Sequence, residues 1–148
     1  DAARTHAVGE VSEEAKKLIQ VTKECFFEGI KYAKAGNHLF DISGAIGRYA
    51  EERGYGVVRD LCGHGIGTAL HEAPEIPNYE VGRKGVKLRP GMTLAIEPMI
   101  NIGTYEVDWL DDDWTVVTRD GSLSAHYENT ILITEGEPRI LSLTCENE

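Results

Sequence analysis

Basic residues are scarce in this chain: 15 lysines and arginines stand against 25 aspartates and glutamates, a formal net charge of −10. A nucleic-acid footprint needs a basic face, so no nucleic-acid contact is expected. Long apolar runs are missing as well. No stretch reaches the roughly 18 apolar residues that a membrane-spanning helix requires, so no membrane contact is expected. The opening residues carry no secretory-leader pattern. Cysteine is sparse: Cys25, Cys62 and Cys145 are odd in number, widely spaced and without a CxxC pair. That argues against a disulfide scaffold and suits a reducing cytoplasm. HExxH is absent, and so is any low-complexity tract. With 41% hydrophobic residues in 148, the chain is long enough and apolar enough to bury a core as one domain.

The chain divides into a helical first third and a strand-rich remainder. Residues 1–8 read as a strand. Ser12 is a good N-cap, followed by Glu13 and Glu14 where the helix dipole favours acids. Ala15, Leu18, Ile19, Thr22, Cys25, Phe26, Gly29, Ile30 and Ala33 then recur at helical spacing, with Gly36 as the stop. A second helix is expected from near Asp41, burying Ile42, Ala45, Ile46, Tyr49 and Ala50 and stopping at Gly54. Tyr55–Leu61 is a short extended segment, and residues 71–91, rich in proline and glycine, read as loop. Thr93–Ile100, Thr104–Leu110, Trp114–Arg119, Ala125–Thr134 and Arg139–Leu143 read as strands, separated by acidic and glycine turns. This order predicts an α+β domain, with helices on one face of a curved antiparallel sheet.

Chemistry is expected where polar groups interrupt apolar runs. In Leu61-Cys62-Gly63-His64-Gly65-Ile66-Gly67-Thr68-Ala69-Leu70-His71-Glu72, two histidines flank a run of alternating glycines. Glycine tolerates positive φ and close backbone approach. Glu97 lies within Leu94–Ile100, and Glu128 stands just before Thr130–Ile133. A buried carboxylate is costly unless paired, protonated or bound to a metal. Either glutamate alone could face solvent; together with His64 and Asp1 they suggest an oxygen-rich site with one imidazole. That donor set suits divalent Mn, Fe, Co or Zn without selecting among them. His6 and His38 read as surface or loop residues. His126 is expected on the strand face opposite Glu128, and Cys62 as a packed thiol more than a reactive one. Asp41, Asp60, Asp108, Asp111, Asp112 and Asp113 read as caps, turns or solvated charge.

Several of these stretches carry a resemblance. Cys62-Gly63-His64-Gly65-Ile66-Gly67, His71-Glu72-Ala73-Pro74-Glu75-Ile76-Pro77-Asn78-Tyr79, Lys87–Thr93, Ile96-Glu97-Pro98-Met99, Asp113–Val116 and Ser124–Thr130 together resemble the type I methionine aminopeptidases, over nearly the whole chain. The resemblance implies the C-terminal portion of a pita-bread fold, a centre of two divalent metal ions (Co, Mn, Fe or Zn), and removal of N-terminal methionine by a metal-activated water. Carried over by position, it implies metal ligands at Asp1, His64, Glu97 and Glu128. It makes Glu97 the candidate general base, His71 the residue that contacts the scissile peptide, and Leu70 and Trp114 parts of the methionine pocket. The implied partners are peptide or nascent-chain substrates, with the ribosome as a candidate, in the cytoplasm. Other pita-bread peptidases of the Xaa-Pro type, or a non-catalytic pita-bread binding module, are the alternatives.

Two departures stand out. Leu70 occupies a position where the family usually has phenylalanine, and Asn78 replaces a common histidine with no evident consequence. The chain starts without methionine, inside an informative stretch. Residues 1–148 are therefore expected to be one peptidase domain lacking its N-terminal half, and poorly active alone.

Overall fold

The computed structural model describes residues 1–143, so Cys145 lies outside the described residues. Helix α1 (Glu13–Ile30) starts as its sequence dictates: Ser12 Oγ accepts the Ala15 N–H at 3.1 Å, and Glu13 and Glu14 fill the first turn. It ends at Ile30, short of Gly36. Ala33 is still buried, which explains the continued apolar spacing, but the backbone there has left the helix. Gly36, at φ 96°, instead donates its N–H to Leu88 O at 3.0 Å.

Helix α2 (Leu39–Glu51) begins two residues before Asp41. The Asp41 carboxylate reaches back to accept the His38 N–H at 2.8 Å, so it caps the first turn rather than opening it. Gly54, at φ 83°, follows the helix end as expected.

The strands are β1 (Ala2–Arg4), β2 (Gly56–Val57), β3 (Gly63–Ile66), β4 (Glu72–Ile76), β5 (Thr93–Ile96), β6 (Met99–Asn101), β7 (Val107–Trp109), β8 (Val116–Thr118), β9 (Ser124–Leu132) and β10 (Arg139–Ile140). Among the described residues, β7 and β8 pair only with each other. The other eight form one antiparallel sheet in the order β2-β6-β9-β5-β3-β4, with β1 and β10 also joined to β9. The nine-residue β9 is the hub: Asn129 has Ala2 on one side and Ile96 on the other.

Three expectations change. The first strand spans three residues rather than eight. The stretch assigned wholly to loop contains β4; Pro74 fits there because β4 ends the sheet path, where a missing N–H costs no ladder bond. The expected Thr93–Ile100 strand is interrupted at Glu97-Pro98, where the chain passes from β5 to β6.

Both helices pack on one face of the sheet. Leu18, Phe26, Ile42 and Ile46 share a buried cluster with Leu94, Ile96, Tyr127 and Ile131, and the Phe26 and Tyr127 rings lie 5.4 Å apart. Side chains alternate along a strand. The odd-numbered residues of β9 and the even-numbered residues of β5 therefore meet the helices. The alternate set faces the other way, and that set carries the acids.

Candidate metal centre

Strand register assembles the site. His64 pairs with Ala95, and Ala95 with Thr130; Thr130 N–H donates to Asp1 O at 3.1 Å. Residues directly opposite each other on neighbouring strands share a face. Asp1, Thr130, Ala95 and His64 thus form one cross-strand row. Two residues along, on the same face, come Glu128 beyond Thr130 and Glu97 beyond Ala95. The inner members of the row, Ala95 and Thr130, are small.

Of the two uses that the sequence allowed for these glycines, close backbone approach is the one found at β3. Gly63, Gly65 and Gly67 do not have positive φ. A Cβ on Gly63 would lie 2.3 Å from Ala95 O, and one on Gly65 2.3 Å from Ala73 O. The glycines let β3 lie close against both neighbours. The β3–β4 pair has a register shift between His64 and Gly65, and His71 lies beside His64. Their rings are 4.1 Å apart, tilted by 45°.

The resulting cluster is close-set. His64 Nε2 lies 3.7 Å from Asp1 Oδ2 and 3.6 Å from Glu97 Oε1. Two sets of metal-capable side chains occur among the described residues, Asp1–His64–His71 and His64–Glu97–Glu128, each with its donor atoms within 4.8 Å of one another. The Glu97 side chain is 13% exposed and that of His64 11%. Burial raises the Glu128 carboxyl above its ordinary range, and the Glu97 charge adds to the effect. Glu128 Oε1 is shut off from solvent with no hydrogen-bond partner among the described residues. Two carboxylates forced together around an imidazole, one with an orphaned buried oxygen, are the arrangement that a divalent cation relieves. The residues present therefore fit a metal.

Supporting contacts hold the acids in place. Asn78, fully buried, donates its Nδ2 to Glu97 O at 3.0 Å, just before Pro98, so this position does have a consequence. Arg4 reaches across from β1, donating to Glu128 O and, at 2.8 Å, to Asn129 Oδ1. His126 is a correction: residues 126 and 128 are two apart on one strand and share a face, and His126 Nε2 lies 3.5 Å from Glu97 Oε2. The remaining histidines are less involved, His6 exposed and His38 at the start of α2.

The two residues expected to line a substrate pocket are exposed. Leu70 is 57% and Trp114 86% exposed. Trp114 sits on the β7–β8 turn, where its N–H and that of Thr115 are held by Asp112 Oδ1 at 3.0 and 2.8 Å. Asp112 is thus a turn residue, as read. Beside His64 and His71 lies a cleft of about 390 Å³, also bounded by Cys62, Glu72, Ala73 and Glu75. Cys62 is half-buried, and burial followed by the nearby Glu75 raises its thiol, which disfavours the reactive thiolate.

The sequence profile of metallopeptidase family M24 matches residues 1–135. The chain belongs to this family. It is 61% identical over 146 residues to a methionine aminopeptidase of Clostridium acetobutylicum, covering 99% of this chain and 58% of that protein. It is 51% identical over 135 residues to methionine aminopeptidase 1 of Bacillus subtilis, covering 91% and 54%. The chain thus spans a little over half the length of these relatives. Its fold superposes on the crystal structure of a methionine aminopeptidase from Thermotoga maritima with a TM-score of 0.91 at 50% identity, covering 94% of this chain and 56% of that one. The prolidase of Pyrococcus furiosus follows at 0.73 and 26%, covering 97% and 36%. The architecture is the pita-bread fold, and M24 membership implies divalent metal use. Among the described residues, no helix is long and apolar enough to cross a membrane.

Proposed function

We propose that the protein removes N-terminal methionine from peptides and nascent polypeptides as a metal-dependent aminopeptidase. The observation that carries this reading is the convergence of Asp1, His64, Glu97 and Glu128 on one sheet face, with His71 beside them. It occurs in a chain far more similar to methionine aminopeptidases than to prolidases.

Asp1, His64, Glu97 and Glu128 would hold a pair of divalent ions (Co, Mn, Fe or Zn). Bound there, the ions would supply Lewis acidity toward the scissile carbonyl and acidify the attacking water. The chain's own groups do the rest. Glu97 accepts the water's proton and delivers it to the leaving amine. His71 donates from its ring N–H to the carbonyl oxygen as that oxygen gains charge. Leu70 and Trp114, both open to an incoming side chain, contact the methionine. We read residues 1–148 as one peptidase domain acting in the cytoplasm, with nascent chains, presented at the ribosome, as the substrate class.

A peptide panel tests this. The full-length protein with Mn²⁺ should cleave Met-Ala-Ser and leave Xaa-Pro peptides intact. Preference for Xaa-Pro would move the protein to the prolidase side of the family, and metal binding without turnover on any peptide would make it a binding module.

A further inference from the structure

Glu97 is gripped from both sides. Its Oε1 faces His64 Nε2 at 3.6 Å, and its Oε2 faces His126 Nε2 at 3.5 Å. His126 belongs to neither of the clusters whose donor atoms lie within 4.8 Å of one another among the described residues. It faces the carboxylate oxygen other than the one that His64 faces.

Its own base is fixed. Thr5 Oγ1 accepts the His126 N–H at 2.9 Å and donates to His126 O at 3.0 Å, and Met99 is its cross-strand partner on β6. The ring is partly exposed, but Nε2 is shut off from solvent and has no hydrogen-bond partner among the described residues. A buried ring nitrogen without a partner is unfavourable, and Glu97 Oε2 lies 3.5 Å from it. At 3.5 Å the pair is just too long for an ordinary hydrogen bond.

From this geometry we infer that His126 is a positioning residue: its Nε2–H donates to Glu97 Oε2 and aims Oε1 into the metal cluster. The inference rests on the metal-site reading above. Outer partners of metal-binding carboxylates fix their orientation, and losing one weakens metal affinity about 10- to 100-fold.

The test is calorimetric titration of the metal-free, full-length protein with Mn²⁺, for wild type, His126→Ala, His126→Gln and His126→Asn. Gln places an amide N–H where Nε2 stands; Asn has a donor that stops short. Mn²⁺ affinity should fall about 10- to 100-fold in His126→Ala and His126→Asn and return close to wild type in His126→Gln. If His126→Ala does not fold, the contrast between Gln and Asn decides. Wild-type affinity in His126→Ala or His126→Asn overturns the role, and so does equal weakening in Gln and Asn, which would assign His126 to packing or direct ligation. Absence of Mn²⁺ binding by wild type would overturn the metal site itself, and this inference with it.

Discussion

Asp1 and His64 stand with Oδ2 3.7 Å from Nε2, although β9 and β5 lie between their strands. Three inter-strand steps separate the backbones by about 14 Å in a flat sheet, and side chains stand roughly perpendicular to it. Strand pairing brings four positions scattered along the chain into one cluster, so the acids depend on the fold for their spacing.

Gly63 is the place to perturb that spacing without touching an acid. A Cβ there meets Ala95 O at 2.3 Å, so Gly63→Ala must push β3 away from β5. The expected loss is about 1–3 kcal/mol, the range for overpacking. It should be read as a fall in Tm of about 2–4 °C per kcal/mol. Unchanged Tm and metal affinity would show that β3 yields at no cost.

His71→Ala separates transition-state stabilisation from metal binding. If His71 serves the carbonyl oxygen, kcat should fall by about 10²–10³ with metal content preserved. Its ring lies 4.1 Å from that of His64, close enough for ligation to be the competing outcome. Loss of metal with unchanged turnover per bound ion would assign it there.

Trp114→Ala should weaken the preference for methionine over alanine at the substrate's first position. One apolar contact is worth about 1–3 kcal/mol, so selectivity should drop by about 10- to 100-fold and not vanish. The exposed Trp114 ring should leave Tm unchanged. A falling Tm with intact selectivity would make it a structural residue.

Glu128 gives a stability prediction with a definite sign. Burial, with the Glu97 charge second, raises its carboxyl in the metal-free protein. The fold then prefers the neutral acid. That stability is present in full below the ordinary carboxylate range, near pH 4, and is lost as pH rises through the folded value. Glu128→Gln stays neutral, so at pH 7 its metal-free form should melt above metal-free wild type, with the gap narrowing toward about pH 4. A metal-free Tm below wild type at pH 7 contradicts this.

Much of this was legible in the sequence, for identifiable reasons. Ser12, Glu13 and Glu14 announced α1 because capping is local chemistry. The two glutamates stood out because acids in apolar runs are costly. What escaped depended on pairing. β4 was hidden by Pro74, Pro77 and nearby glycines, since a strand that ends a sheet path tolerates what a central strand does not. The β3 glycines left two uses open, because alternating glycine looks the same whether it serves positive φ or close approach; only the neighbouring carbonyls distinguish the two. Asn78 showed its role only once its partner, the carbonyl of Glu97, was placed. His126 was legible in principle: counting by two from Glu128 puts both on one face.

The central claim is that the Asp1–His64–Glu97–Glu128 cluster binds the metal on which peptide cleavage depends. The most direct test strips the full-length protein with a chelator and follows Met-Ala-Ser cleavage as Mn²⁺ or Co²⁺ is returned, in wild type and Glu128→Ala, with bound metal counted in each. The account predicts that stripping abolishes turnover and that returned metal restores it in wild type. Glu128→Ala should bind less metal and lose most turnover. Full metal content and near-normal cleavage in Glu128→Ala, or cleavage that survives stripping, would contradict it.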